Sequence, residues 1–357
     1  MGLIKLDIYH VRNIQKQSFL PSEHINFIFG ENASGKSSFL EAIFILGRAK
    51  SFRSASIKSV ITSEQQSLIV AAQLNQNYPV QQLGVQLDGK SIEIHINRQL
   101  SQKRADLAYA LPLQLIHPKS YELLDAGPQM RREFLDWGVF NQDEKFLLVW
   151  RRFKKALSQR NSLLKIKRTE QLNVWDKELA YYGTIVDDYR QQYLTKFKPV
   201  LIEIIKCFLN FNCVDIALVS GWDTAKPLRQ NLIDDLDKDF RYGFTHSGPH
   251  RADFQVLVNN RLAKDFVSRG QLKLLVLSLK LAQVKLLANK QSHLGCILID
   301  DFAAELDRCN RAKLLDFLTS LACQVFITAT ELDDFGNLNK IKNYKLFHVE
   351  QGKITQL

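Results

Sequence analysis

Cysteine pairing is missing from this sequence. Its five cysteines are an odd number, and no two form a Cys-x-x-Cys pair. That excludes a disulfide framework and the common zinc sites, and points to buried free thiols in a reducing compartment. Long apolar runs are missing too. None reaches the roughly 18 residues that cross a bilayer. The Leu-rich stretch from Leu272 to Ala288 is broken by Lys273, Lys280 and Lys285. Residues Met1 to Asp7 lack the apolar centre of a secretory signal. Leu6 stands where myristoylation at Gly2 would need Ser or Thr. A cytoplasmic protein with no membrane partner is expected. Glycine and proline almost vanish between 141 and 211, where only Gly183 and Pro199 occur. Internal repeats, low-complexity tracts and helix-turn-helix or zinc-finger patterns are absent as well.

What is present is an ordinary globular composition, 46% hydrophobic and 24% charged over 357 residues, enough for two domains. The net charge of +11 favours a polyanionic partner, nucleic acid or an acidic membrane surface, although charge also serves solubility. Both ends read as mixed α/β. Strands are expected at 3–9, 24–29, 67–74, 82–87, 92–97, 253–258, 295–299 and 324–328, and helices at about 35–46 and 268–287. The middle reads as helix. Apolar residues recur in steps of three and four from Trp150 to Leu164 and again from Trp175 to Phe208. That spacing puts one stripe on each helix, with a polar turn near 165–171. An antiparallel helical arm is expected, its aromatic stripe serving as packing seam.

Three motifs carry chemistry. Gly30-Glu31-Asn32-Ala33-Ser34-Gly35-Lys36-Ser37 fits G-x-x-x-x-G-K-[ST] between an expected strand and an expected helix, with Ser38 following. Such a loop turns its backbone N–H groups toward phosphate at a helix N-terminus. Lys36 is expected to reach the β- and γ-phosphates of ATP, and the Ser37 hydroxyl to ligate Mg²⁺. The buried strand Ile297-Leu298-Ile299 delivers the acids Asp300 and Asp301. Asp300 suits the Mg²⁺ shell, and Asp301 the orientation or activation of an attacking water. An acidic pair could also simply cap a helix. Finally, Ser268-Arg269-Gly270-Gln271 opens a Leu-rich helix. By itself it is either a serine-capped helix start or a phosphate-binding loop.

This last stretch resembles the signature loop of ABC-type ATPases. In them Ser268, Gly270 and Gln271 would meet ATP held by a second subunit, which implies a homodimer with two nucleotides at its interface. Glu305-Leu306-Asp307 resembles the D-loop of the same heads. Lys36 and Ser268 lie 232 positions apart, which resembles heads of structural-maintenance-of-chromosomes proteins with a short arm rather than transporter subunits. The ordered set is similar to the RecF family over essentially the whole chain. It comprises Gly30 to Ser38 with Leu40 to Ile43, Gly127-Pro128 with Arg131-Arg132 and Phe134 to Trp137, Thr245 to Asp253, Ser268 to Lys273, Asp300-Asp301 and Glu305 to Asp307.

The resemblance implies an α/β ABC-type P-loop ATPase head built from residues 1–115 and 213–357, with residues 116–212 as an inserted antiparallel helical arm. It also implies a recombination mediator that binds ATP, dimerises, and acts on single-stranded and gapped DNA. With RecO and RecR such a protein helps load RecA, in repair, replication and the SOS response. Several residues depart from the pattern. Asp301 stands where most ABC-type ATPases have Glu, so slow hydrolysis is expected. Ala33 replaces a frequent glycine, which the loop accommodates if φ is negative. Thr328 or Thr330 stands near the usual γ-phosphate-sensing His. His250 and Arg251 read as structural or interface residues. For DNA, the 141–170 segment carries nine Lys or Arg against three acids. Arg151, Arg152, Lys154 and Lys155 head its candidate phosphate contacts, although a solvated helix face would look the same. A non-hydrolysing ATP-gated clamp and a transporter-type ATPase subunit stay open as alternatives.

Overall fold

The computed structural model describes residues 2–75, 81–288, 295–303 and 306–357. Along the chain run β1 (Leu3–Val11), β2 (Ile14–Phe19), β3 (Ile25–Phe29), α1 (Lys36–Arg48), β4 (Leu68–Leu74), β5 (Gln82–Leu87), β6 (Ile92–Ile96), β7 (Gln99–Ser101), α2 (Arg104–Ala110) and β8 (Leu113–Ile116). Then come α3 (Glu122–Asp125), α4 (Pro128–Gln142), α5 (Lys145–Lys165), α6 (Leu172–Phe208), β9 (Val214–Val219), α7 (Leu228–Asp234), α8 (Leu236–Tyr242), β10 (Asp253–Val258), β11 (Arg261–Leu262), α9 (Ala263–Phe266) and α10 (Arg269–Ala288). The last elements are β12 (Cys296–Ile299), α11 (Arg308–Ser320), β13 (Gln324–Ala329), β14 (Tyr344–Glu350) and β15 (Lys353–Gln356).

Two compact units emerge, one from residues 1–120 and 284–357, the other from 121–283. The sequence suggested boundaries at 115 and 212. The second differs because β9 pairs along its whole length with β10, so 213–258 packs with the helices. The first unit holds two sheets. One is antiparallel, in the order β2-β1-β4-β5-β6-β7; the other runs β15-β14-β3-β13-β12-β8 with a parallel centre. Helix α1 buries ten of its thirteen residues in a core that both sheets share. Phe19, Phe39, Phe326 and Phe347 meet there, with ring centroids 4.2–6.4 Å apart. Strands β8 and β14 escaped the sequence reading. Strand β8 is only four residues long, and β14 mixes apolar residues with Lys345, His348 and Glu350, so neither carries a clear apolar run.

In the second unit α6 is a 37-residue helix, about 55 Å long. It packs along α5 with Phe153, Leu157 and Leu164 buried on one side and Leu179, Val186, Tyr193, Phe197 and Ile204 on the other. The stripe is a packing seam, as its spacing predicted. Two expectations change. Arg160, counted in the basic segment, is fully buried, so it is no surface charge. Of the five free cysteines only Cys296 and Cys323 are buried; Cys207, Cys213 and Cys309 are exposed. No helix among the described residues is long and apolar enough to cross a membrane.

Candidate functional site

The site is built at the carboxyl ends of β3, β13 and β12. Strand β3 lies between β13 and β14, parallel to both. It releases the chain at Gly30, whose φ is +157° and where a Cβ would sit 2.2 Å from the Val349 carbonyl oxygen. Only glycine fits so close to another backbone. The loop from Glu31 to Gly35 then leads into α1 at Lys36. Its far side is anchored by residues that the motif alone did not suggest. Asn13 donates from Nδ2 to the Ser34 carbonyl at 3.1 Å, and the Gly352 N–H donates to the same oxygen at 2.7 Å. Both come from hairpin turns, β1–β2 and β14–β15. The polar turn residues were the available signal, but nothing local says where they dock.

Arg12, from the first of those turns, forks onto Glu41 of α1 at 2.9 and 3.0 Å and donates to the Ser59 carbonyl at 2.6 Å. Glu41 is fully buried and also receives the Ser51 hydroxyl. A buried carboxylate needs such partners. The fork fixes the turn that carries Asn13 against the helix that carries Lys36.

The Lys36 ammonium donates to the carbonyls of Gly30 and Glu31 at 2.6 and 2.8 Å, so it lies in the hollow of its own loop. Burial pushes its pKa below the ordinary lysine value, opposed by the charges of Asp301 and Asp300. The buried Ser34 hydroxyl has no hydrogen-bond partner among the described residues. Beside the loop, the Ser37 hydroxyl donates to Asp300 Oδ1 at 2.9 Å, and the Thr328 hydroxyl donates to the same atom at 2.8 Å. Thr328 also accepts from the Asp301 N–H at 2.9 Å. Burial pushes the Asp300 carboxyl up from its ordinary value; Thr328, Ser37, Arg53 and Lys36 pull it back down. Asp301 sits at φ +54°, a left-handed conformation that Asp and Asn adopt more readily than most residues.

Ser37 and Asp300 offer two adjacent hard oxygens. Mg²⁺ suits that donor set, since it usually takes one or two protein ligands and completes its shell with phosphate and water. Among the described residues no group of three or more His, Cys, Asp or Glu could cage a metal alone.

One expectation about this loop needs revision, and one open choice on β13 narrows. Ala33 has φ +64°, not a negative value. An L-residue there costs roughly 1–2 kcal/mol. Ala33→Gly is expected to stabilise the protein by about 0.5–1 kcal/mol after the added freedom of the unfolded chain is deducted. A denaturant midpoint at or below that of the parent would contradict the strain. Thr328 is almost fully buried and spends its only proton on Asp300, so it links the acid pair rather than facing phosphate. Thr330 is half-buried, and its carbonyl accepts the Gly30 N–H at 3.3 Å.

The remaining candidates lie in the second unit or beyond β12. Ser268 and Gln271 form a reciprocal cap on α10. Gln271 N–H donates to Ser268 Oγ at 3.3 Å, and Ser268 N–H to Gln271 Oε1 at 3.0 Å. Ser268, Arg269, Gly270 and Gln271 are all exposed, and the Ser268 proton is not consumed by the cap. Asp307 caps α11 by accepting the Asn310 N–H at 2.9 Å; Glu305 lies outside the described residues. Arg151, Arg152, Lys154 and Lys155 are exposed on α5. His250 hydrogen-bonds the Thr245 carbonyl through Nε2 at 2.9 Å. Burial drops its pKa to about 4, so it stays neutral near pH 7.

A strand, a phosphate-type loop, a helix and an acid pair at the end of β12, the parallel strand next but one to β3, form a nucleotide-site geometry. The family model of the RecF/RecN/SMC N terminal domain matches residues 2–355. A relative from Vibrio vulnificus (strain CMCP6), the "DNA replication and repair protein RecF", is 40% identical over 360 residues, covering 100% of both chains. The protein of the same name from Stutzerimonas stutzeri (strain A1501) is 39% identical over 365 residues, covering 100% of this chain and 98% of its own. This chain belongs to the RecF family. The solved structure of "the recombination mediator protein RecF-ATP in RecFOR pathway" superposes with a TM-score of 0.88 at 25% identity, covering 100% of this chain and 97% of the other. A Smc head domain from Pyrococcus furiosus shares the fold at a TM-score of 0.59 and 14% identity, covering 100% and 96%. The RecF fold is thus the α/β, ABC-type head with an inserted helical arm.

Proposed function

We propose that the protein is an ATP-switched DNA-binding factor of replication and repair. In this reading it forms a homodimer on ATP and acts at single-stranded gaps with RecO and RecR to support RecA loading and the SOS response. The observation that carries the nucleotide reading is the hydrogen-bond chain from Ser37 through Asp300 and Thr328 to the Asp301 N–H, set beside Lys36 in its loop. The resemblance to RecF proteins carries the rest.

In this reading Gly30 to Ser38 cradle the phosphates through backbone N–H groups, and Lys36 transfers its hydrogen bonds from loop carbonyls to phosphate oxygens. Ser37 and Asp300 hold Mg²⁺, which neutralises phosphate charge. Asp301 orients the attacking water. Ser268 of a second copy donates to the γ-phosphate, so ATP binds the dimer more tightly than the monomer and shifts the balance toward it. Opening on hydrolysis releases DNA, whose backbone is met by basic residues such as Arg151, Arg152, Lys154 and Lys155.

A slower variant of this reading, a clamp that binds ATP and scarcely turns it over, is favoured by the short reach of Asp301 and the commitment of the Thr328 proton to Asp300. Light scattering with Mg²⁺-ATP, together with phosphate release, tests both. Asp301→Asn keeps the left-handed backbone and is expected to retain ATP-dependent dimers. Its hydrolysis is expected to fall about tenfold or more if the carboxylate is the base. Ser268→Arg is expected to leave the protein monomeric in ATP. A monomeric Asp301→Asn protein at saturating ATP would defeat the scheme, and unchanged turnover would favour the clamp.

A further inference from the structure

The segment from Tyr242 to Arg251 carries a feature that the ATPase reading does not use. It follows α8 and leaves two large aromatic rings in solvent, Tyr242 at 58% and Phe244 at 38% exposure. They belong to a cluster. The Phe244 ring stacks on His246 at 4.4 Å and 30°. Tyr242 meets His246 edge-on at 5.4 Å and stands 6.1 Å from Phe244. The cluster is rigid from beneath. His246 bonds Asp239 Oδ1 through its backbone N–H and through Nδ1, at 3.0 and 2.7 Å. Asp239 is itself held by the buried Arg160.

Cations surround the rings. The Arg251 guanidinium, exposed, lies 5.8 Å from the Phe244 centroid. Lys165 of α5 packs beside Gly243, between the two rings in sequence; a Cβ on Gly243 would touch its Cγ at 3.4 Å. Lys238 precedes Tyr242 by one helical turn, the spacing that puts two residues on one face of α8. Lys154 acts electrostatically on His250, as Arg251 does. It lies eleven residues before Lys165 on α5, three turns or about 16 Å along one face. Asp239, the carboxylate that His246 bonds, is fully buried and already paired.

Exposed flat rings set against the anchored His246 and flanked by positive charge match the chemistry of unpaired bases on a phosphate backbone. We propose that Tyr242, Phe244 and His246, with Arg251 and Lys165, form a stacking platform for unpaired bases of single-stranded DNA. This rests on the DNA-binding reading above and gives it a location. A protein partner would bring acids to Arg251 and Lys165 and aromatic or Arg side chains to the rings, and the abasic comparison below separates it from DNA. A base uses both ring face and flanking charge, and it does so without sequence preference.

The experiment compares an oligothymidylate with an abasic strand of equal length by fluorescence anisotropy, using the full chain with Mg²⁺-ATP. Wild type is expected to prefer the oligothymidylate by about tenfold or more. The Tyr242→Ala/Phe244→Ala variant is expected to lose that preference while binding the abasic strand as wild type does. Phe244→Tyr is expected to keep it, and Arg251→Ala to weaken both strands and flatten the salt dependence. Urea midpoints check that each variant is folded. A preference that survives in the double alanine variant, or a wild type that binds both strands equally, overturns the platform and leaves the DNA reading standing. A wild type that binds neither strand overturns both. A double variant with altered ATP-dependent mass but unaltered DNA affinity overturns the platform in favour of a protein contact.

Discussion

Lys36→Ala is expected to weaken ATP binding by at least about a hundredfold and to leave the unfolding midpoint close to that of the parent. Hydrogen bonds to charged groups contribute about 1.5–3 kcal/mol each, so losing two phosphate contacts accounts for a factor of that order. The fold loses little. Among the described residues the ammonium binds two loop carbonyls, Gly30 and Glu31. Its lowered pKa says that burial disfavours its charge more than Asp301 and Asp300 favour it. Removing it therefore relieves a desolvation cost while two hydrogen bonds are lost. Calorimetric titration with ATP and a thermal melt read the two effects separately. Undiminished affinity would remove Lys36 from the nucleotide site. A collapsed melt would instead make it a structural residue of the loop.

Arg160→Ala is expected to destabilise the helical unit by about 3–5 kcal/mol, the usual cost of stranding a buried charge. The guanidinium is wholly buried and donates to Asp176 at 2.6 Å, Asp239 at 2.5 Å, Thr245 Oγ1 at 2.8 Å and the Leu232 carbonyl at 3.3 Å. It thereby ties α5, α6, the end of α7 and the loop after α8 into one network. Without it Asp239 keeps only His246 as a side-chain partner. Lysine should not rescue the fold, because three donors on one nitrogen cannot span the fork that Arg160 fills. The check is a denaturant titration followed by a probe in residues 121–283. A loss below about 1 kcal/mol would mean that the network is hydrated rather than buried.

The two predictions draw on differently legible features. The loop from Gly30 to Ser37 is local in sequence, and its chemistry follows from glycine spacing and one lysine. The arm was legible because a 37-residue helix repeats its apolar spacing many times. Arg160 was misread for the opposite reason. Composition counts a charge without knowing which face of α5 it occupies, and here that face meets acids 16 and 79 positions away. Position alone left Thr328 and Thr330 both open as phosphate-facing residues; the Thr328 proton goes to Asp300, 28 residues back. The exposed rings of Tyr242 and Phe244 carried no periodic signal, since they flank a turn rather than repeat along an element.

By itself the sequence determined the strand–loop–helix that presents Lys36 and Ser37, the acidic pair at the end of β12, and the helical character of the middle. Each depends on residues within a few positions of one another, where backbone geometry translates spacing directly into contact. Tertiary structure alone decided that Asn13 and Gly352 hold the loop, that Glu41 receives Arg12, that Ala33 stands in a left-handed conformation, and that 213–258 packs with the helices. Those contacts join segments brought together only when the sheets and their shared core form, and close packing, not local preference, selects them.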